Sequence, residues 1–112
     1  MVKEKILEYI KLNPNIGYFD LVKVFGLSME NLLELLDIKN YKIKNKYINF
    51  YDTNDNKIYY EDSSGYWIKR GYDADGNFIY REDSDGDWEK RKYDINGELV
   101  YEEHSNGYKY ER

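Results

Sequence analysis

The chain has 112 residues, no cysteine and a formal net charge of −5 at pH 7. This length fits one compact domain or two very small ones and excludes a large enzyme. The lack of cysteine excludes disulfides and thiolate metal sites. There is no apolar run of transmembrane length and no secretory signal at the start, so we expect no membrane contact and a location in the cytoplasm. The abundance of Lys, Asn, Ile and Tyr is typical of an AT-rich genome, such as that of a bacterium or its phage.

The first fifty residues show helical periodicity. In "VKEKILEYIKLNPNIGYFDLVKVFGLSMENLLELLDI" the apolar residues recur at spacings of three and four. Asn13 and Pro14 are placed to end a first helix, Gly26 to end a second, and Ser28 to cap a third. The pattern therefore predicts three short helices.

The order of these helices and the tight "FGLS" corner resemble a winged helix-turn-helix domain. The segment "YKIKNKYINFYD" would supply the wing hairpin or its first strand. The resemblance covers about residues 1–50 and implies a helical domain over residues 1–45. In that family the helix after the corner reads DNA bases, yet here it carries Glu30, Glu34 and Asp37, which disfavours direct DNA binding. The possible nucleic-acid contacts are the lysines that follow, namely Lys39, Lys42, Lys44 and Lys46.

Residues 51–112 contain three near copies of a 21-residue unit, which begin at Tyr51, Tyr72 and Tyr93. A fixed period of this kind is typical of repeat architectures. Each copy has two turn signals, "TNDN", "ADGN" or "INGE" and then "SSG", "SDG" or "SNG", between runs rich in Ile, Val, Tyr and Trp. We therefore predict an α+β protein with an antiparallel meander of about six or seven strands over residues 46–112. The strands are expected near 46–52, 57–62, 66–73, 78–83, 87–94, 99–104 and 108–112.

The odd period would turn each copy over unless one loop has an even length or a bulge intervenes. We predict a three-residue loop with a glycine bulge at "SSG" and its equivalents, and a four-residue loop at "TNDN" and its equivalents. This register places Tyr59, Trp67, Phe78, Tyr80, Trp88, Leu99 and Tyr101 on one face. It places Ile58, Tyr60, Ile68, Tyr72, Ile79, Tyr93, Val100 and Tyr110 on the other.

The repeat half resembles the YD repeat of RHS proteins and teneurins. The shared pattern is Tyr-Asp, a glycine in the first turn, an apolar strand and a second glycine, although Asp55 replaces the first glycine in the first copy. In that family long arrays form shells around a cargo. Three copies are too few for a shell, so the resemblance implies the strand geometry alone.

Metal and catalytic sites are not favoured by the sequence. Asp83, Asp85 and Asp87 have the alternation of a calcium loop, but Gly86 stands at the fourth position, whereas an EF-hand needs glycine at the sixth. His104 is the only histidine, which predicts neither a zinc site nor a catalytic triad. We therefore expect no enzyme activity, no metal and no cofactor.

The two halves of the chain differ in net charge. Residues 1–50 hold eight basic and six acidic side chains, whereas residues 51–112 hold nine basic and sixteen acidic ones. An acidic surface with aromatic anchors suits a basic protein partner rather than DNA. The predicted partner-binding residues are Glu61, Asp62, Glu82, Asp83, Asp85, Asp87, Tyr60, Trp67 and Trp88.

The leading hypothesis is a non-enzymatic inhibitor from a phage or mobile element. It would occupy the basic surface of a host nucleic-acid-processing enzyme, in the manner of anti-CRISPR proteins. One alternative is a winged-helix transcription regulator that binds DNA. Another is a structural or assembly module that forms a homodimer through its sheet edge.

Overall fold

The computed structural model describes residues 2–112, which form three α-helices and one eight-stranded antiparallel sheet. The helices are α1 (Val2–Leu12), α2 (Tyr18–Phe25) and α3 (Met29–Leu35). The strands are β1 (Tyr41–Lys44), β2 (Tyr47–Tyr51), β3 (Lys57–Asp62), β4 (Trp67–Tyr72), β5 (Phe78–Asp83), β6 (Trp88–Tyr93), β7 (Leu99–His104) and β8 (Lys109–Glu111). Their spatial order follows the chain order. The predicted α+β class is confirmed.

The sheet begins at Tyr41, before the predicted start at residue 46 and within the segment that was expected to form a hairpin or its first strand. Strand β1 pairs with β2 in register from Tyr41 opposite Phe50 to Lys44 opposite Tyr47. This pairing adds an eighth strand to the predicted six or seven. The division proposed at residue 45 therefore falls in the turn of the β1–β2 hairpin.

The helix ends follow local chemistry. The backbone N–H of Asn13 donates to Tyr9 O at the end of α1. Gly26 ends α2 with a left-handed φ of 65°, a conformation that costs glycine little. Ser28 accepts a hydrogen bond from the N–H of Asn31 at 3.1 Å and so caps α3. These three predicted boundaries are confirmed.

The helices pack on one face of the first three strands. Leu33 of α3 is fully buried with Ile48 and Phe50 of β2. The Tyr18 ring of α2 meets the rings of Phe50 and Tyr59 edge-on, at centroid distances of 5.0 and 5.7 Å. A second cluster, formed by Ile6, Leu21 and Leu32, holds the helices together. We call the face of the sheet that carries Ile48, Phe50, Tyr59 and Glu61 the helix-side face, and the opposite one the open face.

The two kinds of turn have the same geometry. The N–H of Asp62 donates to Tyr66 O at 2.9 Å, and the N–H of Asp52 donates to Asn56 O at the same distance. Each turn therefore encloses three residues, and the predicted four-residue loop at "TNDN" is wrong. Asn56, the fourth residue of "TNDN", therefore pairs with Asp52. Asp55 makes this possible because it adopts the left-handed conformation, with φ 63°, that glycine adopts in the later copies.

Equivalent side chains of successive copies lie on the same face because each copy contains a bulge in a strand, and not because a loop has an even length. Gly71 lies opposite Tyr80 and Tyr72 lies opposite Phe78, so Ile79 has no partner on β4. Equivalent register shifts skip Ile58 and Val100. A bulge of this kind directs two successive side chains to one face.

Because of the bulge, several side chains lie on the face opposite to the predicted one. The Phe78 ring lies 6.1 Å from the ring of Tyr72 and 5.1 Å from the guanidinium of Arg91, both on the open face. Ile58 packs with Phe50 and Tyr59 on the helix-side face. The predicted positions of Phe78 and Ile58 are thus wrong, and the matching register shifts exchange the faces of Leu99, Ile79 and Val100.

Candidate interaction surface

Charge in the repeat half is separated between strands and turns. Strands β3 to β8 carry eight acidic and eight basic side chains and are therefore balanced. The acidic ones are Glu61, Asp62, Glu82, Asp83, Glu89, Glu102, Glu103 and Glu111, and the basic ones are Lys57, Lys69, Arg70, Arg81, Lys90, Arg91, Lys92 and Lys109. The turns carry the other eight acidic residues and no basic residue. The negative charge of this half therefore lies at the ends of the sheet.

One end of the sheet carries most of this charge. The three turns that join β2 to β3, β4 to β5 and β6 to β7 lie at the same end, because alternate turns of a meander share an end. They hold the six residues that we call the acidic turn row: Asp52, Asp55, Asp73, Asp75, Asp94 and Glu98. Successive turns of the row are roughly 10 Å apart, since strands are spaced by about 4.8 Å. Arg112 pairs with Asp94 at 2.9 Å and with Glu98 at 2.7 Å and partly neutralises the third turn.

The first aspartate of each turn has a structural task. Asp73 Oδ1 accepts hydrogen bonds from the N–H groups of Asp75 at 3.0 Å and Asn77 at 2.9 Å. Hydrogen bonds from the backbone of Asn77 lower the pKa of Asp73, because they favour the ionised form. Asp52 and Asp94 make equivalent contacts. Asp55 and Asp75, by contrast, are exposed.

Glu61, predicted as part of an exposed acidic surface, is instead buried and only 1% exposed. Its carboxylate accepts hydrogen bonds from the N–H groups of Tyr18 at 3.0 Å and Phe19 at 2.9 Å, and from the Tyr59 hydroxyl at 2.7 Å. It thus caps the first turn of α2, where a negative charge is stabilised by the helix dipole. The exposed placement predicted for Glu61 is wrong because the helices cover this part of the sheet.

Asp83 is also buried, at 5% exposure. It accepts hydrogen bonds from Arg81 Nη1 at 3.0 Å and from the N–H groups of Asp85 and Asp87 at 3.0 and 3.2 Å. Burial by itself would raise the pKa of Asp83, but these hydrogen bonds outweigh it and lower the pKa. Asp83 therefore shapes the β5–β6 turn and does not lie on an exposed strip.

The other predicted partner-binding residues are divided between surfaces. Trp67, Trp88 and Glu82 lie on the helix-side face, since Trp67 pairs with Glu61 and Trp88 with Glu82. Tyr60 and Asp62 lie on the open face, where the Tyr60 hydroxyl donates to Asp62 at 3.2 Å. Asp85 and Asp87 are exposed in the β5–β6 turn. The nine residues therefore do not form one continuous surface.

Each of the two tryptophans makes a cation–π contact with a lysine on the same strand. Lys69 Nζ lies 4.8 Å from the centre of the Trp67 ring, and Lys90 Nζ lies 5.0 Å from that of Trp88. Such contacts place a positive charge directly over each ring. Beyond the helices, the helix-side face is thus aromatic and mixed in charge rather than acidic.

The four lysines predicted as possible nucleic-acid contacts, Lys39, Lys42, Lys44 and Lys46, are exposed. Lys42 and Lys44 alternate on β1 with Tyr41 and Ile43, which belong to the cluster beneath the helices. Lys42 and Lys44 therefore point to the open face, away from α3. A duplex lying on α3 would not meet these two side chains.

One group in the part of the chain from residue 2 onward has the spacing of a metal site. Glu89, Glu102 and His104 place one potential ligand atom each within 4.8 Å of one another. Sequence reasoning missed this group because its members come from two strands and only the register reveals that they are neighbours. Gly17 was missed as well, since nothing nearby in the sequence shows that Glu61 packs against it.

Comparison with known proteins gives no assignment. No family model matches this sequence, and no curated protein matches it. Among residues 2–112 there is no helix with the length and apolar character needed to cross a membrane.

Proposed function

We propose that this protein is a non-enzymatic binding protein that occupies a basic, nucleic-acid-binding surface of another protein, as anti-CRISPR proteins do. The acidic turn row supplies the charge that faces the partner. Tyr51, Tyr72 and Tyr93, which directly precede the three turns and are half-buried, supply apolar contacts beside it. The 21-residue hairpin repeat is what sets the turns at regular intervals along one end of the sheet.

The observation that carries this proposal is the separation of charge. Six carboxylates occupy three turns that span roughly 20 Å, because the first and third turns are four strand spacings apart. With the charge of Arg112 subtracted, this amounts to one net negative charge about every 4 Å, near the spacing of about 3.4 Å along one nucleic-acid strand. A groove built to bind a phosphate backbone would therefore meet a similar density of charge.

The proposal is tested by neutralising exposed carboxylates of the row without disturbing the turns. The variant D55N/D75N/E98Q keeps Asp52, Asp73 and Asp94, which hold the turns together. Asparagine also tolerates the left-handed conformation at position 55. The matched control E8Q/E30Q/E34Q removes three charges from exposed positions on α1 and α3.

Each protein is immobilised and exposed to a nuclease-treated bacterial lysate, and the retained proteins are challenged with a single-stranded oligonucleotide. We expect the wild type and the helix variant to retain a protein that the oligonucleotide releases, and the turn-row variant to retain much less of it. Equal retention by both variants, or retention that the oligonucleotide does not reduce, contradicts the proposal.

A second candidate is the winged-helix regulator, with the duplex bound by the exposed lysines of the β1–β2 hairpin and its approach, Lys39, Lys42, Lys44 and Lys46, instead of by α3. It predicts that a labelled DNA duplex binds this protein directly at low salt. It also predicts that binding weakens when Lys42, Lys44 and Lys46 are replaced by Gln. The inhibitor proposal predicts no binding of the duplex.

A further inference from the structure

The Glu89, Glu102 and His104 group lies on the open face, remote from the acidic turn row. Glu89 and His104 are direct cross-strand partners on β6 and β7. Glu102 lies two residues before His104 and therefore on the same face. His104 Nε2 lies 2.7 Å from Glu102 Oε1 and 3.5 Å from Glu89 Oε2. All three side chains are half-buried.

We propose that these three side chains bind one divalent transition-metal cation, for which Zn²⁺ is the best match. Zn²⁺ takes imidazole nitrogen and carboxylate oxygen at roughly 2.0–2.2 Å. Two ligand atoms at that radius and a tetrahedral angle are about 3.3 Å apart. The two distances to His104 Nε2, 2.7 and 3.5 Å, lie on either side of this value, and all three potential ligand atoms lie within 4.8 Å of one another. Rotation of the carboxylate side chains toward His104 would bring the three atoms to the distances that one ion requires.

The repeat offers an internal comparison. The positions 21 residues before Glu89, Glu102 and His104 are Ile68, Arg81 and Asp83, which cannot bind a metal together because Arg81 is a cation and Ile68 is apolar. The same places on the β6–β7 pair thus have a different chemistry from those on the β4–β5 pair. Turn formation does not require a histidine at position 104, because Asp83 at the equivalent position accepts the hydrogen bonds of the β5–β6 turn.

A fourth ligand position would face solvent. His104 and Glu89 line a surface hollow of about 230 Å³ together with Ser105 and Asn106. Water has access from this side. The ring of Tyr108 contacts the His104 ring edge-on at a centroid distance of 5.1 Å and restricts its orientation. The site therefore supplies three protein ligands and leaves room for water.

Arg91 is the competitor of the metal. Its Nη2 lies 3.3 Å from Glu89 Oε2 and 3.4 Å from Glu102 Oε1, the same oxygens that would bind the cation. The guanidinium also lies 5.1 Å from the Phe78 ring, so it keeps a favourable contact when the carboxylates turn to a metal. Because like charges repel, removing the Arg91 charge strengthens metal binding.

The lone histidine makes the test direct. Untagged protein is titrated with Zn²⁺ while the single imidazole is observed by ¹H–¹⁵N NMR, and the stoichiometry is measured by calorimetry. We expect one Zn²⁺ per chain and a shift of the His104 resonances. E102Q and E89Q each weaken binding by at least about tenfold. R91Q strengthens it.

The matched control is E103Q, which removes an equal charge from the neighbouring residue on the opposite face. Glu103 accepts a hydrogen bond from the Tyr101 hydroxyl there and points away from His104. The affinity of the E103Q variant for Zn²⁺ should equal that of the wild type. Unshifted His104 resonances at saturating Zn²⁺, or equal binding by E102Q, E89Q and E103Q, overturn the proposal.

Discussion

Gly17 and Glu61 fit so closely that a Cβ atom on Gly17 would lie 2.8 Å from Glu61 Oε2. The φ of Gly17 is −83°, which any residue adopts, so this position needs glycine for space and not for its backbone conformation. The carboxylate cannot move away freely, because two backbone N–H groups of α2 and the Tyr59 hydroxyl hold it. This contact joins the helices to the sheet.

Replacing Gly17 by Ala is expected to destabilise the protein by about 1–3 kcal/mol, the usual cost of overpacking a filled site. Urea unfolding followed by circular dichroism measures the change. In a Glu61→Ala background the same substitution should cost much less, since the Cβ then has room. If Gly17→Ala lowered the free energy of unfolding by the same amount in that background, the Glu61 carboxylate would not be the group that clashes with the added Cβ.

Replacing Glu61 by Gln is expected to cost about 2–3 kcal/mol. One oxygen becomes an NH₂ group that faces a backbone N–H of α2, so a buried donor loses its acceptor. Glu82→Gln is the control, because Glu82 also accepts from a tyrosine hydroxyl, that of Tyr80 at 2.7 Å, but is not buried. Equal losses in the two variants would contradict the role of Glu61 as a cap.

Replacing Leu33 by Ala should cost about 2–5 kcal/mol, because this fully buried side chain links α3 to Ile48 and Phe50 of β2. Helical and sheet signals are expected to be lost together in one unfolding transition. Leu12→Ala, at a position that is 74% exposed, should change stability by less than about 0.5 kcal/mol. Two separate transitions would show that the helices and the sheet unfold independently.

The turn aspartates predict a stability that falls in acid. Hydrogen bonds from the following backbone lower the pKa of Asp52, Asp73 and Asp94 in the folded protein. A depressed pKa stabilises the fold above the unfolded pKa, near 4, and this stabilisation is lost as the pH falls through the folded pKa.

The unfolding free energy, measured in urea from pH 6 to pH 2, should therefore decrease below about pH 4. The D52N/D73N/D94N variant should show a smaller decrease. Asparagine Oδ1 can accept the same hydrogen bonds, and Asn does not titrate. An identical decrease in this variant would mean that other carboxyls control the acid response.

The sequence by itself determined the local structure. Apolar spacing predicted three helices, and Pro14, Gly26 and Ser28 marked their limits, because helix ends depend on nearby residues. The recurring Asp and Gly residues likewise predicted the turns, since turn conformation is set within five residues.

The tertiary structure decided which side chains became neighbours. A single bulge at Ile79 moved Phe78 to the face of Arg91, and parity across a sheet depends on such one-residue shifts. The burial of Glu61 under α2 and the meeting of Glu89 with His104 likewise depend on contacts between distant residues. Charge totals were readable from the sequence, but the observed strand bounds were needed to show that strands β3 to β8 are balanced and that the turns carry the excess.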